Sequence, residues 1–117
     1  MGDRAIIQMK NGDDVSPALY THWSGSNVKS IIEATKEQMK SRHDDMDYAF
    51  ARLVQNAVAE DKGASGFGVF NQAEAITQKD SQGDAGCFLI DVSRPEWPVS
   101  TFGGYGFGEE EAEENDD

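Results

Sequence analysis

The dipeptide Asn11-Gly12, set between two runs of β-forming residues, limits what this chain can fold into more than any other feature. Asn-Gly suits a two-residue hairpin turn, because both residue types tolerate the positive φ such turns require. Before it, Ala5-Ile6-Ile7-Gln8-Met9 reads as a first strand. After it, the run to Trp23 carries Val15, Leu19, Tyr20, Thr21 and Trp23, so the chain is expected to return as a hairpin. Pro17 cannot donate to a ladder, which puts this second strand at a sheet edge or starts it late, near Ala18.

Beyond the hairpin the apolar period changes. The polar cluster Ser24-Gly25-Ser26-Asn27 ends the strand and offers Ser26 or Asn27 as an N-cap. Val28, Ile31, Ile32, Thr35 and Met39 then recur at helical spacing, predicting a helix from Val28 to Ser41. His43-Asp44-Asp45 interrupts, with Asp44 or Asp45 as a second N-cap and Asp47 in the first turn, where the helix dipole favours an anion. Met46, Phe50, Leu53, Val54, Ala57 and Val58 form the next stripe, closing at Lys62-Gly63. Gly66-Phe67-Gly68-Val69-Phe70 alternates as a third strand, and a polar excursion follows from Asn71 to Gly86. In the fourth strand, period two sends Cys87, Leu89 and Asp91 to one face and Phe88, Ile90 and Val92 to the other. Val99 to Phe102 makes a short last strand.

This order, β-β-α-α-β-β, predicts the α+β class: an antiparallel sheet of four to five strands covered on one face by two helices. Residues 1–102 are expected to form one domain, followed by a flexible Gly/aromatic segment and acidic tail over 103–117. A chain of 117 residues has room for one core and buries about two thirds of the surface its unfolded form exposes. No apolar run approaches the ~20 residues of a membrane helix, so no membrane association is expected. With one cysteine, no N-glycosylation sequon and no basic-then-apolar start, a cytoplasmic protein is the simpler reading.

Net charge is -12, but the last nine residues, Glu109 to Asp117, hold seven acids and no base, which leaves -5 for the rest. Such a block repels itself and buries almost nothing, so it reads as a disordered, solubilising tail, or as a contact for a basic partner. Direct nucleic-acid binding is not expected, since the ten Lys and Arg are scattered rather than gathered on one face.

Tyr20-Thr21-His22-Trp23-Ser24-Gly25 sets an imidazole, an indole, three hydroxyls and a flexible backbone at one strand-to-helix junction, and it is the candidate site. His22 suits proton transfer or a polar ligand contact, or it merely hydrogen-bonds at a strand end. Trp23 offers a floor for a planar ligand or a core side chain. Ser24 to Asn27, with Gly25 and Ser26, can aim backbone N–H groups at an anion or serve only as a cap. Arg4 joins the list because its planar fork matches phosphate or carboxylate; a hairpin that brings it near Ser26 would turn both towards one ligand.

Other constellations fall short. His43 with Asp44, Asp45 and Asp47 lacks a ligand spacing, and acids at a helix start are accounted for by capping. Asp80-Ser81-Gln82-Gly83-Asp84 with Asp91 has Ala85 where a calcium loop needs Gly, and Asp where it needs Glu. Two histidines and one cysteine make no zinc pattern, and Cys87 in an apolar strand reads as a small hydrophobe. Nucleophile elbows and phosphate loops are missing from the sequence. No cofactor and no metal are expected.

Met1-Gly2-Asp3-Arg4-Ala5, Leu19-Tyr20-Thr21-His22-Trp23-Ser24-Gly25, Gly66-Phe67-Gly68 and Leu89-Ile90-Asp91 together resemble a group of small bacterial and phage proteins of unassigned activity. Those proteins begin Met-Gly-Asp/Asn-Arg-Ala and carry Tyr-Thr-His-Trp-Gly/Ser-Gly before a helix. The resemblance spans most of residues 1–92 and implies a bacterial or phage origin, in the latter case in the host cytoplasm. Ser24 stands where Gly is more usual, and the acidic tail is particular to this chain.

Three functional expectations follow. The first is a non-enzymatic binding protein holding a small anionic or nucleotide-derived ligand against Arg4, His22, Trp23, Ser24, Gly25 and Ser26. The second is a protein-interaction factor, an inhibitor or acidic mimic that engages a basic partner. The third is a hydrolase with His22 as base, which lacks an identifiable nucleophile. An edge strand near Pro17 or Val99 also leaves room for a homo-oligomer.

Overall fold

The computed structural model describes residues 4–22, 25–60, 66–77 and 84–104. The expected hairpin forms, with its loop one residue later than Asn11-Gly12: β1 (Ala5–Asn11) and β2 (Asp14–Thr21) pair antiparallel, Asn11 closes β1 opposite Asp14, and Gly12 takes a φ of +65° in the first loop position. Two helices follow, α1 (Val28–Gln38) and α2 (Met46–Glu60), then β3 (Phe67–Phe70), β4 (Gly86–Asp91) and β5 (Val99–Phe102). Helix α1 stops short of the expected Ser41; Met39 turns the chain into a separate 3-10 turn, Lys40–Arg42. The expected close of α2 at Lys62-Gly63 lies outside the described residues, as does the acidic tail.

The five strands lie in the order β3-β2-β1-β4-β5, and the sheet is mixed rather than antiparallel. β1 pairs antiparallel with β2 but parallel with β4, in the register Ala5↔Gly86 to Lys10↔Asp91. The cause is the connection after β3. A parallel pair needs a crossover of about a dozen residues or more, and the polar stretch from Asn71 to Ala85 supplies it. It returns the chain to the end of the sheet where β1 begins, so β4 enters beside β1 in the same direction.

Pro17 is not at an edge. β2 lies between β1 and β3, but β3 pairs only with Ala18 to Thr21, and the β1–β2 register shifts between Gln8 and Lys10. The proline thus sits where one neighbouring ladder has not begun and the other is broken. Ser16, inside that irregularity, accepts the Met9 N–H with its Oγ at 2.9 Å and donates to the Pro17 carbonyl at 2.7 Å.

One face of the sheet, carrying Ala5, Ile7, Met9, Leu19, Phe88 and Ile90, packs on Val28, Ile31 and Ile32 of α1 and on Ala49, Phe50, Leu53 and Ala57 of α2. Ile7, Leu19, Leu53 and Phe88 have no solvent exposure, and each such side chain stabilises by about 1.5–3 kcal/mol relative to an exposed one. The helices are tied to each other where the Asn56 amide donates to buried Thr35 Oγ1 at 2.9 Å and to Gln38 Oε1 at 3.2 Å. The other face carries Ile6, Ala18 and Cys87, covered by Ile76 of the crossover.

Gln8 explains how a polar loop can lie on that second face. It is fully buried, and its Nε2 donates to the carbonyls of Ser16 (3.0 Å), Glu74 (3.2 Å) and Gln72 (3.4 Å). Its Oε1 accepts the Ile76 N–H at 2.9 Å. One amide in the central strand therefore satisfies backbone groups that would otherwise be buried without partners.

Candidate functional site

Register brings the site together. Ala5 pairs with both Thr21 and Gly86, so Arg4, His22 and the Asp84-Ala85 turn meet at one end of the sheet. Asp84 holds a left-handed φ of +54°, which aspartate tolerates better than most residues. From there its Oδ2 accepts the Arg4 backbone N–H at 3.0 Å and the Arg4 Nε–H at 2.9 Å. In return the Arg4 carbonyl accepts the Ala85 N–H at 3.0 Å. Two glycines let the next segment pass: a Cβ on Gly86 would collide with the Phe102 carbonyl, and one on Gly104 with the backbone of Ala85 and Gly86.

Arg4 and Asp84 are partly accessible, with 36% and 22% of their side chains exposed. The hydrogen bond from Arg4, followed by that from its backbone, holds the Asp84 carboxyl below the ordinary aspartate range; the charges of Arg4 and His22 act in the same direction and partial desolvation opposes them. The ion pair uses Nε, and neither terminal nitrogen of Arg4 hydrogen-bonds a described residue. Beside the pair, the Tyr20 hydroxyl and His22 Nδ1 are 2.7 Å apart. The His22 backbone N–H donates to the Gly66 carbonyl at 2.7 Å, so the strand end is fixed on the β3 side as well.

Of the residues singled out from the sequence, Arg4 and His22 flank one carboxylate. The hydrogen bonds described for Arg4 run to Asp84 and Ala85, on the approach to β4, rather than to the start of α1. Gly25 is buried and opens the 3-10 turn Gly25–Asn27, which contains Ser26 and leads into α1. Asn27 occupies the N-cap position without a side-chain capping bond. Trp23 and Ser24 lie outside the described residues. Tyr20, which heads the candidate stretch, meets His22 because residues two apart in a strand share a face. One participant was missed. Asp84 gave no local signal, since it is 80 residues from Arg4.

The remaining candidates have structural roles in the fold. His43 closes the opposite end of the sheet: its Nδ1 is 3.0 Å from the Val92 carbonyl and so carries the proton, while its own carbonyl accepts Trp97 Nε1 at 3.1 Å. Asp45 pairs with Arg42 at 2.8 Å, and Cys87 is a buried thiol of β4. Among the described residues, no three His, Cys, Asp or Glu gather as metal ligands, and no helix is long and apolar enough to cross a membrane. An open groove of about 340 Å³ lies away from the Arg4 end, between Val15, Ser16 and Pro17 of β2 and Asn71, Gln72 and Ala73.

No protein-family model, curated protein or solved structure matches this chain.

Proposed function

We propose that this chain is a non-enzymatic cytoplasmic binding protein, of bacterial or phage origin, whose ligand is a small anion such as a nucleotide-derived phosphate. The ligand docks at the sheet end that carries Arg4, Tyr20 and His22, next to the Gly25–Asn27 turn. The observation that carries the reading is the state of Arg4: Nε is anchored by Asp84, which aims the guanidinium, while its two terminal nitrogens have no partner among the described residues. A planar fork fixed in this way loses less freedom on meeting a phosphate or carboxylate than a mobile one does. Tyr20 and His22 add polar hydrogen-bonding groups beside it.

Titrating the protein with inorganic phosphate and with nucleoside mono- and diphosphates by calorimetry tests this. Binding is expected in the wild type, about tenfold or more weaker in Arg4→Lys, which keeps the charge and loses the fork. Equal affinity in Arg4→Lys, and in a folded His22→Ala variant, would remove the site.

A second reading is a protein-interaction factor that engages a basic partner, and Asp84 favours it, because that carboxylate already neutralises Arg4. Net charge of -12 supports the same reading. It requires complexes that weaken with salt and are lost when residues 109–117 are removed. Catalysis by His22 ranks third; it requires turnover that disappears in folded His22→Ala.

A further inference from the structure

The two edges of the sheet are built differently. β5 is approached through Pro95 and Pro98 and exposes Ser100. β3 has β2 as its only strand neighbour among the described residues, and it exposes Val69 (53%) and Phe70 (40%) on opposite faces. Sheet proteins usually guard such an edge with a lysine, a proline or a bulge. Here the stretch Gly66-Phe67-Gly68-Val69-Phe70-Asn71-Gln72-Ala73 holds no charge and no proline, in a chain where 27% of residues are charged.

We propose that β3 pairs antiparallel with β3 of a second copy, about a two-fold axis perpendicular to the sheet, to give a continuous ten-stranded sheet. An isologous pairing of this kind must set residues of like facing opposite one another. That condition is met with Val69 opposite the partner's Val69 and Phe70 opposite the partner's Gly68. The second contact identifies the occupant. A Cβ built on Gly68 meets nothing within 4 Å, so the space above it is open, and Phe70 is an exposed aromatic on that same face. Each copy therefore supplies the ring that fills the other's gap, as aromatic residues do over glycines in neighbouring strands. The charge-free stretch selects against a cationic partner at this strand and brings no like charges together at the seam. The repulsion between two bodies of net charge -12 remains, and salt screens it.

Sedimentation velocity on the full chain over a range of protein and salt concentrations tests the pairing, with Val69→Lys and Val69→Cys as variants. Val69 is more than half exposed, so neither substitution disturbs the core. The expected result is a dimer that strengthens with salt, weakens about tenfold or more in Val69→Lys because two ammonium groups then face each other, and cross-links through position 69 in Val69→Cys. Cys87 is buried and does not compete. A monomer at every salt and protein concentration overturns the proposal, as it would if β3 serves a foreign peptide. So does a dimer that survives Val69→Lys and fails to cross-link. These outcomes do not depend on whether the Arg4 end binds an anion.

Discussion

The two faces of the sheet solve the same problem by different physics. Under the helices, Ile7, Leu19, Leu53, Phe88 and Ile90 interlock by shape, and buried Thr35 donates its hydroxyl to the Ile31 carbonyl at 2.8 Å. Under the crossover the apolar cluster among the described residues is small: Ile6, Ala18, Ile76 and Cys87, with Tyr20, Leu89 and Phe102 at the margin. What keeps that loop in place is directional: the Gln8 amide at its middle and the Arg4–Asp84 pair at its end. A face closed by area resists change in proportion to volume lost, whereas a face closed by a few hydrogen bonds can fail at one residue without the rest following.

The helix face should carry the larger share of stability. Leu53→Ala removes a fully buried side chain from the contact of α2 with the sheet and is expected to cost about 2–5 kcal/mol, read as a lowered midpoint in denaturant melts with α2 and the sheet lost together. A loss under 1 kcal/mol, or a melt in which the strap over the other face goes first, would reverse the ranking of the two faces.

Gln8→Ala tests the other side. It leaves the carbonyls of Ser16, Gln72 and Glu74 and the Ile76 N–H without their partner, and the cost is set by whether the loop lifts to let water reach them. The expected loss is about 1–3 kcal/mol in global stability, with the Ile76 amide losing more hydrogen-exchange protection than the amides of β1, which fall only by the global loss. If β1 and Ile76 lose protection equally, the loop is part of the main cooperative unit and the contrast between the faces disappears.

What could be read in the sequence divides along the same line. Both helices, the hairpin and the facing of Cys87 against Phe88 were legible because each depends on neighbours within a few positions, where period two or 3.6 carries the information. Tyr20 beside His22 belongs to the same class. The parallel pairing of β1 with β4 did not follow from period, since an alternating strand looks the same in either direction; only the length of the stretch after Phe70 pointed to a crossover. Gln8 resembled one polar residue in an apolar strand, and its partners Glu74 and Ile76 lie 66 and 68 residues away. Pro17 misled for a related reason: the rule about proline and edges holds per residue, and β2 is paired on its β3 side only from Ala18 onward.

The smallest effect is expected at the end of the crossover, and its dependence on pH rather than its size distinguishes it. Asp84→Asn keeps the shape and an acceptor for Arg4 but loses the charge. Because Arg4 holds the folded-state carboxyl below its ordinary value of 3.8, the ionised form is the one that folding favours. The stabilisation from the pair is therefore fully present above 3.8 and is lost as pH falls through the lowered folded-state value. The wild type should exceed Asp84→Asn in stability near neutral pH, the gap should narrow steadily in acid below that point, and salt should reduce it because both groups are partly exposed. Gln8→Ala should show no such convergence, since an amide does not titrate. A constant gap for Asp84→Asn between neutral and acid melts would mean that its geometry, not its charge, pins the crossover, and both anchors of that face would then be of one kind.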